Sequence, residues 1–364
     1  MAVTFGSGTA PSQVTLNLDS LFGISLAAYR KTLTDNIGAI NAFFHEIIKG
    51  ELYESQDGGS YIQEPLMYAL QNADSYDGYD ELSTIPVDGL TDAIYQWRQC
   101  AAAIVYSMKE IKQNKQKIVD LVKSRIMQAE LGLQEYFSQS LLWGSVNTGG
   151  SLTTPMTSLV NGSLSIDPLP QHIMYANTSN VSVGNINQST STWWQNKSFN
   201  ASTLGATGYD NFMLAIDHCF NNTSLGTGGK VNLVLLDEIS YELVVHAIWQ
   251  KYRQVKTNEN YPFENTVYKN ATITMDDKVP DVYTGVSSTA TYGSAFLINS
   301  RFFKLRYEED SDFEMLKDEN GKTFQKPVNG DSRVGHVAWM GNLTSNNRRK
   351  QGVLGQIPRT LTNP

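Results

Sequence analysis

Several places in the chain carry residue types that could do chemistry. His45-Glu46 opens like the helical zinc motif in which two histidines grip the metal and the glutamate serves as base. The fifth position is Lys49, so the second ligand is missing. Gly226-Thr227-Gly228-Gly229-Lys230 has the glycines and lysine of a phosphate-cradling loop. However, Val231 stands where Ser or Thr would meet magnesium, and the loop precedes a predicted strand, so it reads as a helix-to-strand turn. Asp217-His218-Cys219 falls on a predicted helix, where adjacent side chains do not face each other; Cys219 joins Phe212 and Ile216 as core. Asp310, Asp312 and Glu314 hint at calcium, but Met315 occupies the position at which an EF-hand loop requires glycine, leaving a solvated acidic turn. Trp193-Trp194 is either a platform for a sugar or base or an anchor that ties a loop to a core. Its Asn and Ser neighbours, with no arginine close by, favour the anchor. No catalytic, cofactor or metal residue is predicted, and the chain is not expected to be an enzyme.

The elements that would position such residues are more telling. Ser107 to about Leu142 reads as one uninterrupted helix, with Ile111, Ile118, Val122, Ile126, Ala129, Leu133, Phe137 and Leu141 on one stripe. Ser107-Met108-Lys109-Glu110 supplies a capping box at its start. At 1.5 Å per residue such a helix is roughly 50 Å long, about three times the usual length. Its cations (Lys109, Lys112, Lys115, Lys117, Lys123, Arg125) are partly balanced by Glu110, Asp120, Glu130 and Glu135. They read as a solvated face, with a weak contact to an enclosed anionic polymer as the alternative.

Before this helix, residues 1–30 form a polar, weakly patterned arm, and 32–49 reads as a helix ended by Gly50. Strands around Ser60–Tyr68 and Asp92–Tyr106 are joined by the hydrated tip Asp74–Asp80. They predict a protruding hairpin with too little apolar material for a core of its own. Beyond the helix, residues 145–204 are rich in Ser, Thr and Asn. An α/β pattern then follows: helix 209–221, strand 231–236, helix 238–254, strands 271–275 and 295–307, and a last strand 335–343. In the strand ending at Tyr307, Phe303, Leu305 and Tyr307 face one way and Lys304 and Arg306 the other.

Composition bounds the reading. The 364 residues are 41% hydrophobic and 10% aromatic, enough for real cores, and no apolar run reaches the length of about eighteen that crosses a membrane. A net charge of −8 argues against a general nucleic-acid binder. The N-terminus has neither the charged nor the apolar region of a signal peptide. The sequons at Asn161, Asn177, Asn196 and Asn342 therefore read as loop composition. Cys100 and Cys219 lie far apart and read as two reduced, buried thiols.

An arm, a protruding hairpin, a very long helix, an α/β region and a returning strand, in that order, resemble the major capsid proteins of tailed bacteriophages, the Hong Kong 97-like fold. Local stretches are similar too: Gly58-Gly59 ahead of Ile62-Gln63-Glu64-Pro65-Leu66, Tyr76-Asp77-Gly78-Tyr79-Asp80, Lys112-Gln113-Asn114, Trp193-Trp194-Gln195-Asn196, Met275 to Pro280, and Val337 to Ile357 with Arg348-Arg349-Lys350. The resemblance implies an α+β fold. Its parts would be an N-terminal arm and helix (1–50), an extended β-hairpin loop (51–106), the spine helix of a peripheral domain (107–148), a mainly axial α/β domain (149–330) and a returning peripheral strand (331–364). It also implies self-assembly through pentamers and hexamers into an icosahedral head enclosing double-stranded DNA. That DNA would be contacted weakly and without sequence specificity, in a virion assembled in the host bacterial cytoplasm, with no membrane.

A portal and a decoration protein are further implied partners. Because the arm begins almost at Met1, a scaffolding protein is expected to be a separate chain. An encapsulin-like cellular nanocompartment of the same fold, holding enzyme cargo, is the alternative. A glycan-binding protein using Trp193-Trp194 is a remote one. Tyr61, Tyr68, Tyr76, Tyr79, Tyr95 and Trp97 of the hairpin are expected at contacts between subunits, where aromatic residues are enriched. Arg98, Lys304 and Arg306 are expected to meet the acidic runs Asp77–Glu81 and Glu308–Asp312 of neighbours, Glu308 and Glu309 among them. The apolar stripe of the long helix is expected to pack on its own subunit's sheet.

Overall fold

The computed structural model of the chain describes residues 42–49, 52–81, 84–113, 121–143, 164–204, 209–226, 228–252, 265–276, 278–280, 292–312, 314–316, 324–327 and 330–358. In chain order the first elements are helix α1 (Ala42–Lys49), strands β1 (Tyr53–Gln56), β2 (Ile62–Met67), β3 (Leu90–Tyr95) and β4 (Arg98–Ser107), and helices α2 (Met108–Gln113), α3 (Leu121–Trp143) and α4 (Leu169–His172). Next come β5 (Ser182–Val183), β6 (Ile186–Asn187), β7 (Lys197–Asn200), α5 (Tyr209–Ser224), β8 (Leu233–Leu236) and α6 (Glu238–Tyr252). Strands β9 (Asn265–Tyr268), β10 (Ala271–Met275), β11 (Tyr292–Ile298), β12 (Phe303–Glu308), β13 (Glu314–Met315), β14 (Ser332–Ser345) and β15 (Gly352–Pro358) complete the set.

Strand β14 is the axis of a five-stranded sheet. It pairs antiparallel with β4 from Ser332↔Ser107 to Gly341↔Arg98, and with β12 from Gly341↔Tyr307 to Ser345↔Phe303. Short β13 pairs with it as well, and β1 adds to β12 in parallel. Helix α3 lies on this sheet. Ala129, Leu133, Phe137 and Leu141, four members of the expected stripe, are buried, and Phe137 meets Trp339 of β14 edge-on at 4.6 Å between ring centroids. The stripe thus packs on its own chain's sheet. Its N-terminal members, Ile111 to Ile126, fall outside the described side chains, and residues 114–120 between α2 and α3 fall outside the described residues, as does the continuity of the long helix.

The start of that helix follows its sequence signature. The Ser107 amide donates to the Glu110 carboxylate at 3.0 Å, and the Lys109 amide donates to Ser107 Oγ at 3.1 Å, so a reciprocal capping box ends β4 and begins α2 in one step.

The second sheet has six strands in the order β7-β15-β11-β8-β10-β9, with β8–β10 and β15–β7 parallel and the rest antiparallel. One face is covered by α5 and α6 through Phe212, Ile216, Cys219, Val244 and Ala247. The other face, through Leu233, Leu235, Phe296, Ile298 and Val353, joins the cluster built by α1, α3, β4, β12 and β14. Burial on both faces explains why β8 is an unbroken Leu-Val-Leu-Leu run with no alternation. The helices expected over 209–221 and 238–254 and the strand at 271–275 are present, residues 253–254 lying outside the described ones. Of the helix expected over 32–49, residues 42–49 are helical and 32–41 are outside the described residues.

Two expected strands are each divided. Asp92–Tyr106 splits at Gln96-Trp97 into β3 and β4, and Ala295–Tyr307 splits at 299–302 into β11 and β12. In both cases the halves belong to different sheets, and the break is fixed by side-chain contacts from distant parts of the chain. Asn342 Nδ2 donates to the Gln96 carbonyl at 2.9 Å. Gln351 holds Asn299 at both its amide (2.9 Å) and its carbonyl (3.0 Å).

Candidate functional site

Strands β2 and β3 form an antiparallel ribbon from Ile62↔Tyr95 to Met67↔Leu90, and the chain between them runs out to the tip at Asp77–Asp80. The expected hairpin is therefore present, and its lack of a core is resolved within the chain. Its inner face, Ile62, Leu66, Ala93 and Tyr95, is buried on Met174, Val183 and Trp194, with Trp193, Val181, Ile186 and Trp97 around them. These partners come from a bracket spanning residues 173–196. Within it, β5 and β6 form a small hairpin turned by Gly184 (φ +60°) and Asn185 (φ +61°). The Ile94 amide donates to the Gly184 carbonyl at 3.0 Å, and a Cβ at position 184 would stand 2.9 Å from the Ala93 Cβ. Glycine is required there on both counts.

Trp194 is buried, and its indole N–H donates to the Val183 carbonyl at 2.9 Å; Trp193 stacks on Tyr68 of the hairpin, 5.1 Å between centroids. The tryptophan pair serves as an anchor: Trp194 is buried in the bracket and Trp193 packs on the hairpin. The bracket itself went unnoticed in the sequence. Its signal was short but present: Gly-Asn between two alternating dipeptides is a two-residue hairpin turn.

The bracket is fastened by a buried cation. Arg348 is 0% exposed, and its guanidinium donates to the carbonyls of His172 (2.7 Å), Trp194 (3.3 Å) and Gln171 (3.5 Å) and to the side-chain oxygens of Gln188 (3.1 Å) and Asn196 (3.3 Å). Every one of these acceptors is neutral. Burial pushes the Arg348 pKa down to about 10, which still leaves it charged at neutral pH. His172, also fully buried, lies between Tyr95 and Phe303. Burial, with the adjacent guanidinium second, pushes its pKa down to about 3, so it is neutral. Lys350 turns inward as well, donating to the Leu225 and Gly226 carbonyls at the end of α5, where a cation suits the helix dipole. Of the basic run Arg348-Arg349-Lys350, only Arg349 is exposed. Asn196 and Asn342, two of the sequon asparagines, are buried and hydrogen-bonded inside the fold.

The site residues named from sequence separate into two groups. Tyr61, Tyr68, Tyr76 and Tyr79 are exposed on the hairpin, Tyr79 completely, whereas Tyr95 is buried with its hydroxyl donating to the Ser345 carbonyl at 2.9 Å. Trp97 is half-buried, and its indole N–H donates to the Gly59 carbonyl at 2.8 Å. The cations expected to reach neighbours are engaged within the chain. Arg98 pairs with Asp167 at 3.3 Å, in a largely buried site where Asn342 also donates to the carboxylate. Burial pushes the Asp167 carboxyl up, and Arg98 and Asn342 partly offset the shift. Lys304 and Arg306 share Glu54 at 2.8 and 2.6 Å, and Arg306 also holds the buried Glu64 at 2.9 Å. The reason is register: β12 places both cations beside β1 and the base of the hairpin, where Glu54 and Glu64 lie. Glu308 is half-buried and Glu309 exposed.

Sequence reasoning passed over the aliphatic residues of the hairpin. Met67 (69% exposed), Leu70 (75%), Ile85 (74%) and Leu90 (75%) are barer than Tyr61 or Tyr68, and Met67 and Leu90 sit directly opposite each other on the outer face. Which face of the hairpin a bracket would cover could not be read from the strands alone.

The remaining chemical motifs resolve into structure. Cys219 is buried under the six-stranded sheet, and burial pushes its thiol up; Cys100 is pushed up to about 11 for the same reason. Asp217 pairs with Lys269 and accepts from the Tyr268 hydroxyl. The glycine loop at 226–230 turns its Gly226 and Gly228 carbonyls to Lys350 and Asn299. Asp312 accepts from the Tyr53 hydroxyl. Among the described residues no group of three or more potential metal ligands occurs, and no helix is long and apolar enough to cross a membrane. The side chain of His45 lies outside the described ones.

No family model and no curated protein matches the sequence. Solved structures do match its fold. The capsid asymmetric unit of cyanophage A-1(L) is 12% identical, covers 90% of this chain and 96% of its own, and has a TM-score of 0.58. The capsid of an empty GTA particle is 7% identical over 89% of this chain and 92% of its own, with a TM-score of 0.55. The SrpI encapsulin of Synechococcus elongatus PCC 7942 is 9% identical over 93% and 97%, with a TM-score of 0.52. At such identities the likeness defines the architecture: this chain has the Hong Kong 97-like fold, over about nine tenths of its length.

Proposed function

We propose that this chain is a major capsid protein. It self-assembles into the icosahedral head of a tailed bacteriophage and encloses the phage's double-stranded DNA. The observation that supports this most strongly is the asymmetry of the hairpin. Its inner face is sealed by the chain's own bracket, while Met67, Leu70, Ile85, Leu90 and the tip tyrosines are left exposed to solvent. A soluble monomer gains nothing from such a surface, whereas a subunit that meets copies of itself buries it. On this reading residues 1–50 are the arm and helix, 51–106 the extended loop, 107–148 the spine helix, 149–330 mainly the axial domain and 331–364 the returning strand. Pentamers and hexamers are built from this one contact set. A scaffolding protein and a portal are partners in building the head, and the enclosed DNA is met weakly.

Sedimentation of the purified protein, followed by negative-stain imaging and nuclease treatment, tests the proposal. Megadalton closed particles with nuclease-protected DNA from infected cells are the expected result. A persistent monomer would sink the shell reading. Closed particles that hold protein cargo and no DNA would instead favour the nanocompartment, a reading kept open by the fold's likeness to an encapsulin.

A further inference from the structure

Strand β4 pairs with β14 along one edge, and among the described residues no strand pairs with its other edge. From Gln99 to Ser107 the strand contains no charged residue and no proline, and its register with β14 is continuous, without a bulge. Charges, prolines and bulges are the usual devices that keep an open edge from recruiting another strand, and β4 has none of them. In an antiparallel pair alternate residues turn their N–H and C=O groups away from the partner, so this edge presents a row of main-chain donors and acceptors.

The edge borders a cleft. Ala102–Ser107 form one wall, and Arg125, Gln128, Ala129 and Gly132 of α3 form the other. Gly132 is the one glycine in the described helices, and it lies in the interior of α3. A glycine there is less favourable than alanine, and is normally tolerated where a neighbour packs too close for a side chain. Here an added Cβ would meet no atom within 4 Å. Packing within the described subunit therefore gives no reason for the missing side chain, whereas an occupant of the cleft does.

The charges around the cleft indicate what that occupant carries. One guanidinium nitrogen of Arg125, Nη2, is buried there without a hydrogen-bond partner, and Nη1 makes only a 3.5 Å contact with Gln128. Where β4 passes into α2, Lys109, Lys112 and Arg333, the last paired with Tyr106, are exposed. The Glu110 carboxylate is turned to the Ser107 amide at 3.0 Å, and exposed Asp331 leaves the cations in excess.

We propose that this cleft is a docking site for an extended, acidic peptide segment of another protein, which adds to β4 as a strand. Its main chain pairs with residues 99–107, its side chains on the α3 side pass over Ala129 and Gly132, and one carboxylate gives Arg125 its missing acceptor. Strand addition supplies the main-chain hydrogen bonds, and the ionised acceptor supplies the preference for acid. Every residue invoked belongs to one subunit, so the site exists whether or not copies assemble.

Fluorescence anisotropy on the full-length, unassembled subunit tests it. The probe is a labelled, end-blocked Val-Glu-Val-Glu-Val-Glu peptide, and the control is the matching Val-Lys peptide. The acidic peptide should bind saturably and at least about tenfold more tightly than the basic one. Gly132→Phe puts a ring into open space, so it should not lower the melting temperature, yet it should weaken binding at least about tenfold. Arg125→Gln should weaken binding of the acidic peptide about fivefold and leave the basic one unchanged. With the acidic peptide bound, alternate amides of 99–107 should exchange about tenfold more slowly, those of β8 serving as the internal control. Should Gly132→Phe disturb the fold, Arg125→Gln carries the comparison. Absence of saturable binding, equal binding of the two peptides, or binding indifferent to both substitutions overturns the proposal. So does slow exchange of the edge in the free subunit, which would give the cleft to this chain itself. Slowing that appears only as subunits associate overturns it too, in favour of a second copy.

Discussion

The six-stranded sheet and the hairpin meet the same physical demand in opposite ways. Both are sheets with two faces to cover. The six-stranded sheet covers both, one with α5 and α6 and the other with the shared cluster under α3. The hairpin covers one face with the bracket and leaves Met67 and Leu90 bare on the other. The difference teaches where stability and association are separated in this chain: the inner face of the hairpin belongs to the subunit's own fold, and the outer face is available to something else.

The largest expected effect tests the inner side. Arg348→Met removes the donor to the carbonyls of His172 and Trp194, leaving buried acceptors unsatisfied. It should cost about 3–5 kcal/mol, read as a fall in the urea midpoint. If the midpoint stays put, the bracket is not fastened by this cation. Gly184→Val places a Cβ against Ala93 at a positive φ and should cost about 1–3 kcal/mol. Faster amide exchange should appear at 62–66 and 90–95 and be absent from α5 and α6. Spread of the effect to those helices would deny that the hairpin is a separable unit.

Acid acts on the same centre. The folded pKa of His172, about 3, lies below the ordinary histidine value of about 6.5. The unfolded chain therefore binds a proton that the folded chain refuses. The neutral ring's contribution is complete above about pH 6.5 and is lost as pH falls toward 3, by about 1.4 kcal/mol per pH unit. His172→Phe should flatten the fall in melting temperature between pH 6.5 and 5, and an unchanged slope would rule the ring out as its source. The smallest effect on the subunit belongs to the outer face. Met67→Ser with Leu90→Ser should leave the unfolding free energy within about 0.5 kcal/mol of the original while sharply reducing the yield of particles. Unchanged yield would show that this face is not the contact.

Much of this architecture was readable from local sequence wherever local rules decide. The capping box at Ser107 closes as written, because both partners lie within three residues. The alternation of Phe303, Leu305 and Lys304, Arg306 puts the first pair in the core and the second on Glu54 and Glu64. The failures share a cause. The breaks at Gln96-Trp97 and 299–302 carry no glycine or proline, since the chain is turned there by Asn342 and Gln351 from its far end. Arg98, Lys304 and Arg306 looked available for neighbours because the carboxylates that hold them are distant in sequence. The tyrosines drew attention by residue type, but which aliphatic residues were bare depended on the bracket.

Arg348 also determines how the joint behaves in salt. An exposed ion pair weakens as ions accumulate around its two charges, over a screening length of about 10 Å at 0.1 M. The acceptors around Arg348 bear no net charge, and the group is shut away from solvent, so added electrolyte has almost nothing to shield. Contacts such as Lys269–Asp217 on the surface should fade in concentrated brine while the bracket keeps its grip. The piece of the molecule that holds the hairpin in place is thereby indifferent to ionic strength.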